Sequence, residues 1–243
     1  MAADPSTSAA DFDAGFGSTR WSLVAALRDG AGMQRNPLAE LTRSYCYPVY
    51  AYLRRRGHGP DGASRLLLGF FQWLGDQITH SDPATFGRFR DFLLDRLQAF
   101  MERPDTGIGA PWLIRDIDFA ELERRLLEEH GGSAGPEAVF ARSFALQVLR
   151  RGRMLLREEM RHNERETMFD LLDTYLTRDP SPDIVAELAH RLGIGSLAVQ
   201  VAIRRLRQRF RELVEAELQD TVSNPADLEA ERAALHQILS RRA

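Results

Sequence analysis

The stretch SPDIVAELAHRLGIGSLAVQVAIRRLRQRFRELV, residues 181–214, decides how the rest of the chain is read. Ser181 stands directly before Pro182. A serine hydroxyl can take up a free amide of a first helical turn, and proline's fixed φ suits that turn. Ile184, Val185, Leu188 and Leu192 then recur at helical spacing and point inward. Gly193-Ile194-Gly195 reads as a tight turn and Ser196 as the cap of a second helix ending near Gln219. Along that helix Val199, Ile203, Leu206, Phe210 and Leu213 sit three or four apart and make one apolar stripe. A helix, a short glycine turn and a capped helix form a helix-turn-helix.

Helical periodicity continues outward from this motif, and no stretch alternates as a β-strand does. The expected fold is therefore all-α, two small helical domains joined by a linker. Residues 1–18 are small and polar and are expected to be disordered. A first domain spans 19–102. It holds a short helix capped by Thr19 and a helix from Pro37 to Arg56 that Pro48 should kink. A third helix, capped by Asp61, runs from Gly62 to about Ile78, and a fourth from Phe86 to Met101. Residues 103–135 read as a linker, rich in glycine and proline, that includes a charged helix at Phe119–Glu129. The second domain, 136–219, opens on a long helix from Pro136 to about Asn163, followed by Glu166–Leu176 and the helix-turn-helix. A tail helix fills 220–243.

Composition narrows the function. At 44% hydrophobic and 28% charged residues, the 243-residue chain can bury a core and is too apolar for a disordered protein. Its longest uncharged apolar stretch, Leu66 to Leu74, is far short of the roughly 20 residues of a membrane span. The start of the chain lacks the basic-then-apolar layout of a signal peptide, so a cytoplasmic location is expected. The single cysteine, Cys46, excludes an internal disulfide and any multi-cysteine metal site. His58, His80, His130, His162, His190 and His236 show no metal-ligand spacing, and no phosphate-binding glycine loop or nucleophile motif is present. No enzyme activity, cofactor or metal is expected.

Net charge is only -3, yet all 32 basic residues are arginine. Arginine offers planar, two-pronged contacts to phosphate and guanine that lysine cannot reproduce. Between Ser196 and Val214 the charges are Arg204, Arg205, Arg207, Arg209 and Arg211 against Glu212, five minus one, a local +4. Gln200, Arg204, Arg207, Gln208 and Arg211 fall on a face away from the apolar stripe. Side chains of this kind reach base edges in a major groove, while Ser196 marks a helix start whose amides can hold a phosphate. The plain alternative is a solvated basic face on an ordinary helical hairpin.

Trp21, YCYPVYAYLRRRGH at 45–58, Phe70-Phe71 and GRFRDFLL at 87–94 carry a resemblance to a known family, the extracytoplasmic-function-type sigma factors of RNA polymerase. It continues through Ala186-Glu187-Leu188-Ala189, Leu192-Gly193, Ala198-Val199, Val201-Ala202, Arg205-Leu206-Arg207 and Arg209. It closes on Thr221-Val222 and Pro225-Ala226-Asp227. The resemblance implies a region 2 at about 36–101 that binds core RNA polymerase and captures the melted minus-ten strand. It implies a region 4 at about 165–217 that reads the minus-thirty-five element of promoter DNA. Ser196, Gln200, Arg204, Arg207, Gln208 and Arg211 would then meet upstream DNA. Phe86, Arg88, Phe89 and Arg90 lie where the family handles the melted strand, since aromatic stacking with arginine charge suits unstacked bases. For Phe89 and Phe92, core packing is the stronger reading.

One departure stands out. Relatives carry Asp-Ala-Glu-Asp-Leu-Thr-Gln where this chain has Gly62-Ala63-Ser64-Arg65-Leu66-Leu67-Leu68. The family's acids meet basic groups on the polymerase, so Arg65 reverses a charge. Leu68 falls with Ser64, Arg65 and Gln72 on an outward side of the helix, an altered partner surface. Three readings follow. The chain is a sigma factor gated by a Ser/Thr kinase, with phosphate on Ser64 restoring about -1.5 to -2 charge near a helix start. Or it is a divergent sigma factor with a compensating apolar contact. Or it is a sigma-like adaptor that no longer directs transcription.

Overall fold

A computed structural model of the chain describes residues 23–24, 37–78, 87–104, 117–129 and 134–240. Among these residues the fold is all-α, and the only sheet-like feature is an isolated antiparallel bridge between Arg88 and Val222. The expected disorder of 1–18, the Thr19 cap and Phe86 lie outside the described residues, although Leu23 and Val24 are buried.

The first core is built around α1 (Pro37–Arg55), whose stretch from Tyr47 to Leu53 is buried on every side. A helix that is apolar all round must be a central one. It passes through Pro48 as one element and stops where expected: Gly57 takes φ +96° and the His58 amide bonds the Leu53 carbonyl at 3.3 Å. That conformation carries little penalty only for glycine. Helix α2 (Pro60–Ile78) starts two residues before the predicted position, so Asp61 lies inside its first turn. Helix α3 (Phe89–Met101) starts later than predicted, with extended Arg88 at its N-cap. Phe89 and Phe92 are fully buried, and Tyr45 stands between Phe89 and Phe144 with ring centroids 4.9 and 5.3 Å away.

Helix α4 (Phe119–Glu129) lies in the stretch read as a linker, but it is fastened to α1. Arg54 donates Nε and Nη2 to the two oxygens of Glu123 at 2.9 and 2.7 Å, and the Tyr50 hydroxyl adds a bond of 2.7 Å. The Arg54 guanidinium holds the Glu123 carboxyl below the usual carboxylate range.

Helix α5 (Pro136–His162) is 27 residues long, about 40 Å. Its first half buries Phe140, Phe144, Ala145 and Val148 in the first core, and Leu156 farther along enters a second one. The two cores therefore share a helix. Short α6 (Glu166–Leu172) ends in a 3-10 turn at Asp173–Leu176, where one continuous helix was predicted. Helices α7 (Pro182–Leu192) and α8 (Ser196–Gln219) complete the second core. The chain then returns to the first core. A 3-10 turn (Pro225–Asp227), capped by Asn224, leads into α9 (Leu228–Ser240), which packs Leu235, Ile238 and Leu239 there.

Gly152 sets the distance between α5 and α8. A Cβ at that position would lie 2.7 Å from Val214 Cγ2 and 3.5 Å from Phe210 Cε2. Because α8 is held at both ends, it cannot simply retreat. Gly152→Val should lower stability by about 1–3 kcal/mol, as overpacking of a close contact does. Urea unfolding followed by circular dichroism measures it, and an unchanged midpoint would contradict the crossing.

Candidate nucleic-acid interface

Helices α7 and α8 are joined by a three-residue break and turn through 96°. The turn is built as its residues suggest. Ser181 Oγ accepts from the Ile184 amide at 3.4 Å, with Pro182 at the first helical position. Gly193 takes φ +65°, and the Ile194 amide reaches back to the Ala189 carbonyl at 3.1 Å. The N-cap of α8 is Gly195, however, and no side chain caps it. Ser196 is the first helical residue and is exposed, so the predicted serine cap does not form; its hydroxyl starts one residue too late. Val199, Ile203, Leu206 and Leu213 are buried in the second core, with Phe210 partly buried against them.

The opposite face divides into free and committed groups. Gln200, Arg204, Gln208 and Arg211 are exposed. Gln208 donates to Glu212 at 3.0 Å, and Arg211 Nε contacts the Arg207 carbonyl at 3.3 Å. Arg204 and Arg205 make no ion pair among the described residues. Gln200, Arg204 and Arg211 line a shallow groove of about 340 Å³ with Asp179 at its edge.

Arg207 is not free. Its guanidinium donates to the Tyr175 carbonyl at 2.7 Å, the Arg178 carbonyl at 2.5 Å and Asp179 Oδ1 at 2.7 Å. It clamps α8 to the segment entering α7, which sequence spacing alone could not distinguish from a DNA-facing role. Arg209 is likewise bound, two-pronged, to Glu159 of α5 at 2.8 and 2.6 Å. Arg205, counted in the local charge but left off the predicted face, is exposed and joins the free group.

Of the predicted strand-handling residues, Phe89 is buried, in line with its core reading, and Arg88 and Arg90 face the tail of the chain. Arg90 donates to both oxygens of Glu231 at 3.1 and 3.0 Å, and Arg88 lies 3.6 Å from the same carboxylate, which is fully buried. Two backbone bonds flank this contact, Phe89 to the Thr221 carbonyl (2.8 Å) and Ser223 to the Gly87 carbonyl (2.7 Å). The tail thus takes up both arginines. Nothing local in GRFRDFLL announces it, because the partner lies 141 residues away.

On α2, Arg65 is exposed, while Leu68 is half-buried and packs against the first core, so it is not the outward leucine expected. Gln72 is also half-buried. Since α2 begins at Pro60, Ser64 is its fifth residue, past the first turn, and its hydroxyl donates to the Pro60 carbonyl at 2.8 Å. The helix-start electrostatics expected there fade within one turn.

Comparison of the chain with protein-family models, curated proteins and solved structures finds no match.

The two arginines on α8 should separate in stability. Arg207→Ala removes three bonds and leaves two carbonyls short of a donor, at about 1–3 kcal/mol. Arg204→Ala, at an exposed position without a partner, should stay within about 0.5 kcal/mol of the parent. Thermal unfolding of both variants checks this, and equal melting temperatures would remove the clamp.

Proposed function

We propose that the chain is a sigma-type transcription initiation factor whose α8 reads promoter DNA. One observation carries the reading. At the end of a 96° helix-turn-helix, a 24-residue helix leaves Gln200, Arg204, Arg205, Gln208 and Arg211 exposed while its opposite stripe is buried. Arginine and glutamine are the side chains that pair two-pronged with guanine and adenine edges. Further support is the ordered resemblance at 45–58, 87–94 and 221–227, which pairs this helix with a polymerase-binding unit. In this reading the DNA face is Gln200, Arg204, Arg205, Gln208 and Arg211, with Arg207 beside them positioning the helix through its bonds to Tyr175, Arg178 and Asp179.

Binding to duplexes selected from a random library should fall steeply with salt, because phosphate contacts release counterions. Arg204→Ala should weaken the selected duplex by about tenfold, the cost of one good base or phosphate contact. Fluorescence anisotropy measures both. Binding that is indifferent to salt and to Arg204 would leave only a solvated basic helix.

A second reading, the sigma-like adaptor, is favoured by the engagement of Arg88 and Arg90 with Glu231 and by exposed Arg65 in place of an acid. The two part at core RNA polymerase. Gating by phosphorylation belongs to the first reading and rests on charge alone, since Ser64 is a turn past the helix start. Pull-down of core polymerase by the parent and by Ser64→Glu decides. Binding gained only by Ser64→Glu supports gating, equal tight binding supports a constitutive factor with a rewired contact, and no binding by either supports the adaptor.

A further inference from the structure

Away from the helix-turn-helix, a recess of about 300 Å³ opens where α1, α4, α5 and α8 meet, lined by Arg125, Arg150, Arg151, Gln147 and Glu217, with Arg43 also on its wall. Arginine dominates this wall, and its pairing is incomplete. Arg125 is about nine-tenths buried, yet its Nε and Nη2 have no hydrogen-bond acceptor; neither has Arg151 Nε, and the Gln147 carbonyl oxygen lacks a donor. The carboxylates nearby act as charge partners at longer range: Glu129 lies 3.7 Å from Arg125 and Glu217 lies 3.5 Å from Arg151. Glu129 turns one oxygen to Arg150 and leaves the other without a donor. The Arg125 plane rests on the Tyr47 ring, 3.6 Å from its centroid, which fixes the guanidinium in place but supplies no acceptor.

Buried donors without acceptors are rare in folded proteins because each one costs about 1–3 kcal/mol, and an ion or water is a common explanation. Burial, and then the neighbouring Arg150, pull the ionisation of Arg125 below its ordinary value. An anion in the recess would relieve both the missing acceptors and the repulsion. A guanidinium pairs best with a planar or tetrahedral oxyanion, two oxygens at a time. The volume, at the lower end of the range for small-molecule sites, suits a phosphate or diphosphate group and is too confined for a duplex backbone.

We propose that this recess binds a small phosphate-bearing anion, with Arg125 and Arg151 donating from its wall and Arg150 and Arg43 completing the positive side. The ligand ties α1 and α4 of the first core to α5, the helix that the two cores share. This inference does not depend on the role assigned to α8.

The test is isothermal titration of the full chain with inorganic phosphate, pyrophosphate and ADP at constant ionic strength. One saturable site for at least pyrophosphate is expected. Arg151→Gln, at a partly exposed position, should weaken it at least tenfold, and Arg150→Gln serves as a second variant should the first unfold. Arg204→Ala, on the α8 face, should leave it within twofold. Tighter binding of ADP than of pyrophosphate would identify a nucleotide as the source of the phosphate, and the reverse order a free diphosphate; either supports the site. Absence of saturable binding by all three ligands would overturn it, as would binding that Arg204→Ala removes while Arg151→Gln and Arg150→Gln spare it.

Discussion

The crossing of α5 over α8 at Gly152 is the contact on which the arrangement of this protein depends. Helix α5 is buried at one end in the aromatic core of α1, α2 and α3 and at the other beneath the helix-turn-helix. A side chain at position 152 would meet Val214 Cγ2 at 2.7 Å, so the packing of the two helices would have to shift. The Arg209–Glu159 pair, the Arg151–Glu217 contact and the seating of Phe210 all lie along the same crossing. Orientation of the exposed arginine face relative to the first core is therefore set by helix packing and not by a tether.

Arginine does two kinds of work in this chain. Some guanidiniums hold the fold: Arg54 on Glu123, Arg90 on buried Glu231, Arg207 on two carbonyls and Asp179. These are multiple, directed bonds, and a guanidinium fork suits them where an ammonium would not. Others form exposed pairs within a single helix, such as Arg161 with Glu158 and Arg232 with Glu229, and such pairs contribute only tenths of a kcal/mol. What remains on α8 after both groups are set aside is Arg204 and Arg205, with Arg211 tied only to its own helix. A local charge of +4 overstates the face that faces solvent unopposed, because Arg207 and Arg209 are already bound to carbonyls and carboxylates.

Local signals were legible and long-range ones were not. The Ser181-Pro182 start, the left-handed Gly193, the Gly57 stop and the buried stripe from Val199 to Leu213 follow from residues within one or two turns of each other. The all-α class follows from the same periodicity. The tail's return to the first core does not, because Leu235 and Glu231 look like parts of any amphipathic helix until Arg90 is placed beside them. The same holds for α4, where Glu123 resembles a surface acid until Arg54 and Tyr50 close on it. Ser196 failed as a cap for a smaller reason: two glycines shared the turn, and the second took the capping position.

That the last helix belongs to the first core also bears on how the protein is made. A chain emerges from its N-terminus, and units generally fold as they are completed. Here the helix-turn-helix unit can close once residue 217 or so has emerged, while the earlier core still lacks Leu235, Glu231 and the strand-like pairing of Val222 with Arg88. The later-encoded unit is thus complete first, and the nascent protein carries an unfinished aromatic core, with Arg88 and Arg90 uncovered, until residues 221–240 are delivered.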